Sequence, residues 1–193
     1  MADSFAKILE EIENWKVPAE LETFLIRTDA PSRSDQTLSF YAYAYERAFE
    51  ALADKALERW RGGGYLQLPV FYLARHSIEL HLKSTIATYA DYTRDPSPDC
   101  GHRLLDLWNE LKRQFNLASM PDQEEWGHHC ERLIHHIHNI DPTGKSFRYP
   151  AKRDGKLFDY TYVELQGLVE AHNHITTYCD ASIDMLGEYA IVF

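Results

Sequence analysis

Long hydrophobic runs are missing from this chain, and no stretch of it reaches the length of a membrane span. Cysteine is scarce. Cys100, Cys130 and Cys179 are odd in number, far apart and without a CxxC pair. That spacing gives no disulfide framework and points to reduced thiols in a cytoplasmic compartment. Positive charge is short as well. Twenty Lys and Arg stand against thirty Asp and Glu, for a net charge of −10. Such a balance argues against broad, non-specific nucleic-acid binding, which needs many cations facing phosphates, but it leaves room for a local basic site. The N-terminus, MADSFAKILEEIENW, is acidic and helix-patterned, unlike a signal peptide. Internal repeats, low-complexity segments, a GxSxG elbow and an HExxH motif are all absent, and Gly62 to Gly64 is not followed by the Lys-Ser/Thr of a phosphate loop.

What is present is 193 residues with 45% hydrophobic and 26% charged content, enough for one domain with a real core. Regularly spaced alternating segments, which a strand-rich fold needs, do not occur. The periodicity predicts an all-α antiparallel bundle. An N-terminal helix over 4–15, with Phe5, Ile8, Leu9 and Ile12 on one face, is followed by a loop over 28–36. Core helices are expected over 39–60, 69–92, 104–115 and 121–139, and a last long helix over 162–188. Pro142, Gly144, Pro150 and Gly155 mark 141–158 as an ordered loop or small hairpin. The organisation is thus a single domain over 1–193: N-terminal helix and loop to 36, core helices over 37–140, a basic aromatic loop over 141–160, and the C-terminal helix over 161–193. Trp60, Trp108 and Trp126, with Tyr41, Tyr43 and Tyr45, read as core and interface residues.

The segment FYLARHSIELHLK, Phe71 to Lys83, carries most of the chemical information. It is apolar almost all round, yet Tyr72, Arg75, His76, Glu79 and Lys83 fall within an arc of about 100°. A helix apolar elsewhere sits inside a domain, and buried charges must be paired or used. Arg75–Glu79 and Glu79–Lys83 are i,i+4 pairs and His76–Glu79 is i,i+3. The stripe is either an internal polar network that sets helix packing or the floor of a site.

Three blocks resemble a set of prokaryotic helical proteins of the HEPN superfamily: Arg75, His76, Glu79, Leu82 and Lys83; Gly101 and His102; and Asp141, Ser146, Phe147, Arg148, Tyr149 and Pro150. The resemblance implies a helical bundle, often dimeric, and in many members a metal-independent ribonuclease of toxin–antitoxin, CRISPR or phage-defence systems. The superfamily's signature is Arg, four to six intervening residues, then His. Arg75 with His81 and Arg132 with His138 fit it, and Arg75–His81 lies inside the matched block. On a straight helix those two residues stand about 120° apart, so a shared phosphate requires a helix irregularity or a second subunit.

For metal-independent RNA cleavage, histidine suits the proton transfers and arginine the phosphorane charge. On that reading Arg75 holds the phosphate, His81 or His76 moves the proton, and Glu79 orients a neighbour. Lys83 adds a cation on the same helix, and Arg148, Tyr149 and Lys152 bind from the cation-rich stretch Lys145 to Lys156. The competing reading makes Arg75, Glu79 and Lys83 a salt-bridge ladder and His81 a packed core histidine. In the loop, Phe147 and Tyr149 would pin the chain to the bundle, with Arg148 paired to Glu79 or Asp141; alternatively Arg148 grips a phosphate or carboxylate.

His128, His135 and His138, with Glu131, lie near one helix face, and Glu125–His128 is a single copy of a motif that di-iron bundles use twice. The second copy is lacking, because Glu170 and His174 are i,i+4, so no metal and no cofactor is expected. The expected function is a HEPN-like protein of a defence or toxin–antitoxin system that cleaves RNA or binds RNA or a nucleotide. It would act as a homodimer or with a protein from the same operon. The alternative is a non-catalytic helical dimerisation or interaction module.

Overall fold

The structure is a computed structural model that describes residues 6, 7, 10, 36–59, 64–120, 124–148, 151, 154–157 and 164–192. The chain divides into two compact units, Met1–Arg33 and Ser34–Phe193. The expected N-terminal helix and the 28–36 loop fall almost wholly outside the described residues.

The second unit is an all-α bundle, as the periodicity predicts. Its helices are α1 (Leu38–Arg59), α2 (Gln67–Thr93, entered through a 3-10 turn at Gly64–Leu66), α3 (Leu104–Leu117), α4 (Glu124–Ile140) and α5 (Leu165–Val192). α2 lies at the centre, packed by α1, α3 and α5, while α4 packs on α3 and α5. That place explains its composition. Val70, Phe71, Ala74, Ile78, Leu82 and Ile86 are buried, and the helix has no fully solvated side along its middle turns. Arg94, in the left-handed region at φ 56°, terminates it.

The flanking helices are one-sided. α3 turns Leu104, Leu107, Trp108 and Leu111 inward, an i, i+3, i+4, i+7 stripe. α1 presents Ala42, Phe49, Ala53 and Ala56 to the core, and the three alanines let its backbone approach α2. Of the aromatic residues expected in core or interface, Trp108 is fully buried, Tyr41, Tyr43 and Trp126 are exposed, and Trp60 lies outside the described residues.

After α4 the chain folds into a tight loop around one carboxylate. Asp141 Oδ1 accepts from the backbone N–H groups of Lys145 (3.0 Å) and Ser146 (3.2 Å) and from the Ser146 hydroxyl (3.0 Å). Phe147 then stacks on Phe71 of α2 with centroids 4.0 Å apart, which pins the loop to the bundle. A single antiparallel bridge, Ala151 to Leu157, closes the tip. Tyr149 and Lys152, expected to bind ligand, lie outside the described residues.

Candidate functional site

The polar stripe of α2 is a buried ion network with one open end. Arg75 is 4% exposed and uses all three guanidinium nitrogens. Nε donates to the Asp141 carbonyl at 3.2 Å and lies 3.7 Å from the Asp141 carboxylate. Nη1 donates to Glu79 at 3.3 Å, and Nη2 to the His102 carbonyl at 2.7 Å. One side chain thus ties α2 to the start of α3 and to the loop after α4. Burial works against its charge and lowers its pKa, and Asp141 and Glu79 offset only part of that cost.

Glu79, 3% exposed, is the hub. Besides Arg75 it accepts from Lys83 Nζ at 2.9 Å and from His102 Nδ1 at 2.7 Å. Burial alone favours the neutral acid, but the bonds and charges of Lys83 and His102 outweigh it and hold the carboxyl below its ordinary range. Arg75, Glu79 and Lys83 therefore form the ladder that the spacing suggested. Arg75 does not face an open phosphate position, because each of its three nitrogens bonds Asp141, Glu79 or the His102 carbonyl and Gly144 covers it.

His102 is the residue that sequence reasoning left without a role. It sits in the loop before α3, with its side chain 64% exposed and its Nδ1 on a buried carboxylate. This bond sets the tautomer: Nδ1–H donates to Glu79, and in the neutral ring the Nε2 lone pair faces outward. No described residue bonds Nε2. A solvent-facing imidazole backed by a buried carboxylate is the constellation of an oriented general base. The available signal was the Gly101-His102 pair ahead of α3, but its partner Glu79 is 23 residues away in sequence.

Around this pair stand the remaining stripe residues. His76 is half-buried, its ring edge-on to Tyr45 (centroids 4.4 Å apart) and stacked with Tyr72 (5.6 Å). Burial, together with the charges of Arg148, Lys83 and Arg75, lowers its pKa against the pull of Glu79. Arg148 lies over the Tyr72 ring, 5.6 Å from its centroid, and its Nε donates to the Gly144 carbonyl at 2.9 Å. The cation that bridges Glu79 and Asp141 is Arg75, with Glu79 one turn along the same helix and Asp141 brought in by the loop after α4.

His81 is elsewhere. Six residues past Arg75 on a regular helix, it turns about 120° away. It is 4% exposed, its Nδ1 3.0 Å from the Ser77 carbonyl and its Nε2 3.8 Å from Glu46 of α1. Beside it His172 of α5 bonds the Ser77 hydroxyl at 3.0 Å, and burial drives the His172 pKa down to about 3. The structure thus separates Arg75 from His81 and makes His81 a core histidine. Of the second Arg–His pair, Arg132 is exposed, whereas His138 is buried with Nδ1 unbonded and its pKa lowered by burial and by Arg103 and Arg75.

His128, His135 and Glu131 line an open depression of about 460 Å³ together with Arg132, His136 and Asn139. Among the described residues no group of three or more His, Cys, Asp or Glu converges as a metal site, and no helix is long and apolar enough to cross a membrane. No protein-family model, curated protein or solved structure matches the chain.

Proposed function

We propose that the protein is a HEPN-like helical bundle of a defence or toxin–antitoxin type system that acts on RNA, with His102 as the proton-transfer residue. The observation that carries this reading is the His102–Glu79 bond of 2.7 Å between an exposed imidazole and a buried carboxylate. Neutral His102 Nε2 takes the proton of a ribose 2′-hydroxyl. The 2′-oxygen bonds to phosphorus, the bond from phosphorus to the 5′-oxygen breaks, and the leaving oxygen is protonated from solvent. Glu79 stabilises the imidazolium so formed, and Arg148 and Lys145, exposed on the adjoining loop, attract the phosphate. Arg75 serves as a positioning residue that holds the His102 backbone and Glu79 in register.

The test is RNA cleavage in the presence of EDTA, at matched thermal stability. His102→Ala is expected to lose activity by about 10²–10⁴-fold, while His81→Ala keeps it. Retained cleavage in His102→Ala, or no cleavage by the wild type, defeats the reading.

A second reading is a non-catalytic module that dimerises or holds a partner protein from the same operon. It is favoured by the aromatic face of α1, where Phe40, Tyr41 and Tyr43 are 44%, 49% and 58% exposed. Absent cleavage together with a stable dimer disrupted by Tyr43→Ser would establish it.

A further inference from the structure

Away from the α2 site, two histidines on neighbouring helices meet ring to ring. His129 Nε2 on α4 and His174 Nδ1 on α5 are 2.9 Å apart, with ring centroids 5.1 Å apart and planes at 57°. The backbones beneath them are held firmly. The Cys130 thiol reaches the His174 carbonyl at 3.6 Å, and Cys130, Ile134, Ile175 and Cys179 are part of the buried core. Arg132 Nη2 lies 3.5 Å from the other nitrogen of His129.

Two neutral imidazoles at this separation share one proton, one nitrogen donating and the other accepting. The same two nitrogens suit a transition-metal ion. Zinc binds imidazole nitrogen at about 2.0–2.1 Å, so two such ligands on a tetrahedral ion stand roughly 3.3 Å apart. Only a few tenths of an ångström of side-chain opening separates the pair from that spacing, and both helices are rigid on the inner side. Imidazole selects the borderline divalent ions rather than magnesium or calcium.

We propose that His129 and His174 form a two-histidine bridge for a divalent transition-metal ion, with water completing the coordination, which clamps α4 to α5. Loading moves the His129 proton from Nε2 to Nδ1, so two neutral rings bind without net proton release. That shift places an N–H where Arg132 now donates, and Arg132 competes with the ion both by this bond and by its charge. With two protein ligands the ion exchanges readily, and the clamp is reversible.

The test is thermal unfolding of the full chain with zinc chloride or magnesium chloride at about 0.1 mM. Zinc is expected to raise the Tm by about 2–4 °C, and magnesium to leave it unchanged. His129→Ala and His174→Ala, both surface changes that keep the fold, abolish the shift. The double variant His128→Ala/His135→Ala keeps it, and Arg132→Ala enlarges it. A zinc shift that persists in His174→Ala, one lost only in the His128/His135 variant, or none in the wild type overturns the proposal.

Discussion

Gly144 closes over Arg75 so tightly that a side chain has no room: a Cβ at 144 would stand 2.6 Å from Nη1 and 3.0 Å from Cζ of the guanidinium. Its φ of +73° is also in the left-handed region that side chains resist. The loop after α4 therefore depends on a glycine for two reasons at one position. Gly144→Ala is expected to cost about 1–3 kcal/mol, read from the urea midpoint. Unchanged stability would mean that the loop lifts from Arg75 freely.

Arg75 itself is a larger liability. Removing it leaves Glu79 with Lys83 and His102 but strips the Asp141 and His102 carbonyls of a donor in a buried setting. Arg75→Ala should cost about 3–5 kcal/mol, measured by equilibrium denaturation. Arg75→Lys should recover less than half of that, since a single ammonium does not span the three directions that the guanidinium serves. A loss below about 1 kcal/mol would contradict the ladder described here.

Acid sensitivity follows from His172. The unfolded chain takes up a proton there near pH 6.5, whereas the folded chain does so only near pH 3. Between those values the unfolded state binds more protons, so stability falls as the pH falls, by a total on the order of 5 kcal/mol. Glu79, whose folded pKa lies below its ordinary 4.5, adds a loss of the same sign that begins only under that pH. Chemical denaturation at pH 7, 6 and 5 should show the decline, and His172→Gln, which keeps a partner for Ser77, should reduce it, leaving the smaller same-sign contributions of His76 and His138. A wild-type stability constant from pH 7 to 5 would contradict the burial of His172.

The helices were legible because their signals are local. The Gly62–Gly64 break, the i, i+3, i+4 stripe of α3 and the all-round apolar α2 each sit within one turn or one element, and the observed ends differ from the expected ones by at most four residues. The Arg75–Glu79–Lys83 ladder was legible for the same reason. His102 was not, since its chemistry depends on a carboxylate from another helix. Gly144 read as a turn glycine, but its contact with Arg75 spans 69 residues of chain, a distance that no periodicity encodes. The histidines near α4 invited a metal grouping by helix face, yet the pair that meets is His129 with His174, one from each of two helices. Arg75 and His81 show the reverse: simple helical geometry already set them apart, and the fold kept them so.

That divergence along α2 has a mechanical consequence. Arg75 fastens one flank to the start of α3 and the loop after α4, and His81 and Ser77 fasten the other to α1 and α5, with no member in common. The central helix behaves as a bulkhead between two sets of polar bonds, with the His76–Tyr45 ring contact reaching α1 from the first flank. Substitutions on opposite flanks are therefore additive in a double-mutant cycle. Residues around His102 can therefore be exchanged without touching the Ser77–His172 bond between α2 and α5.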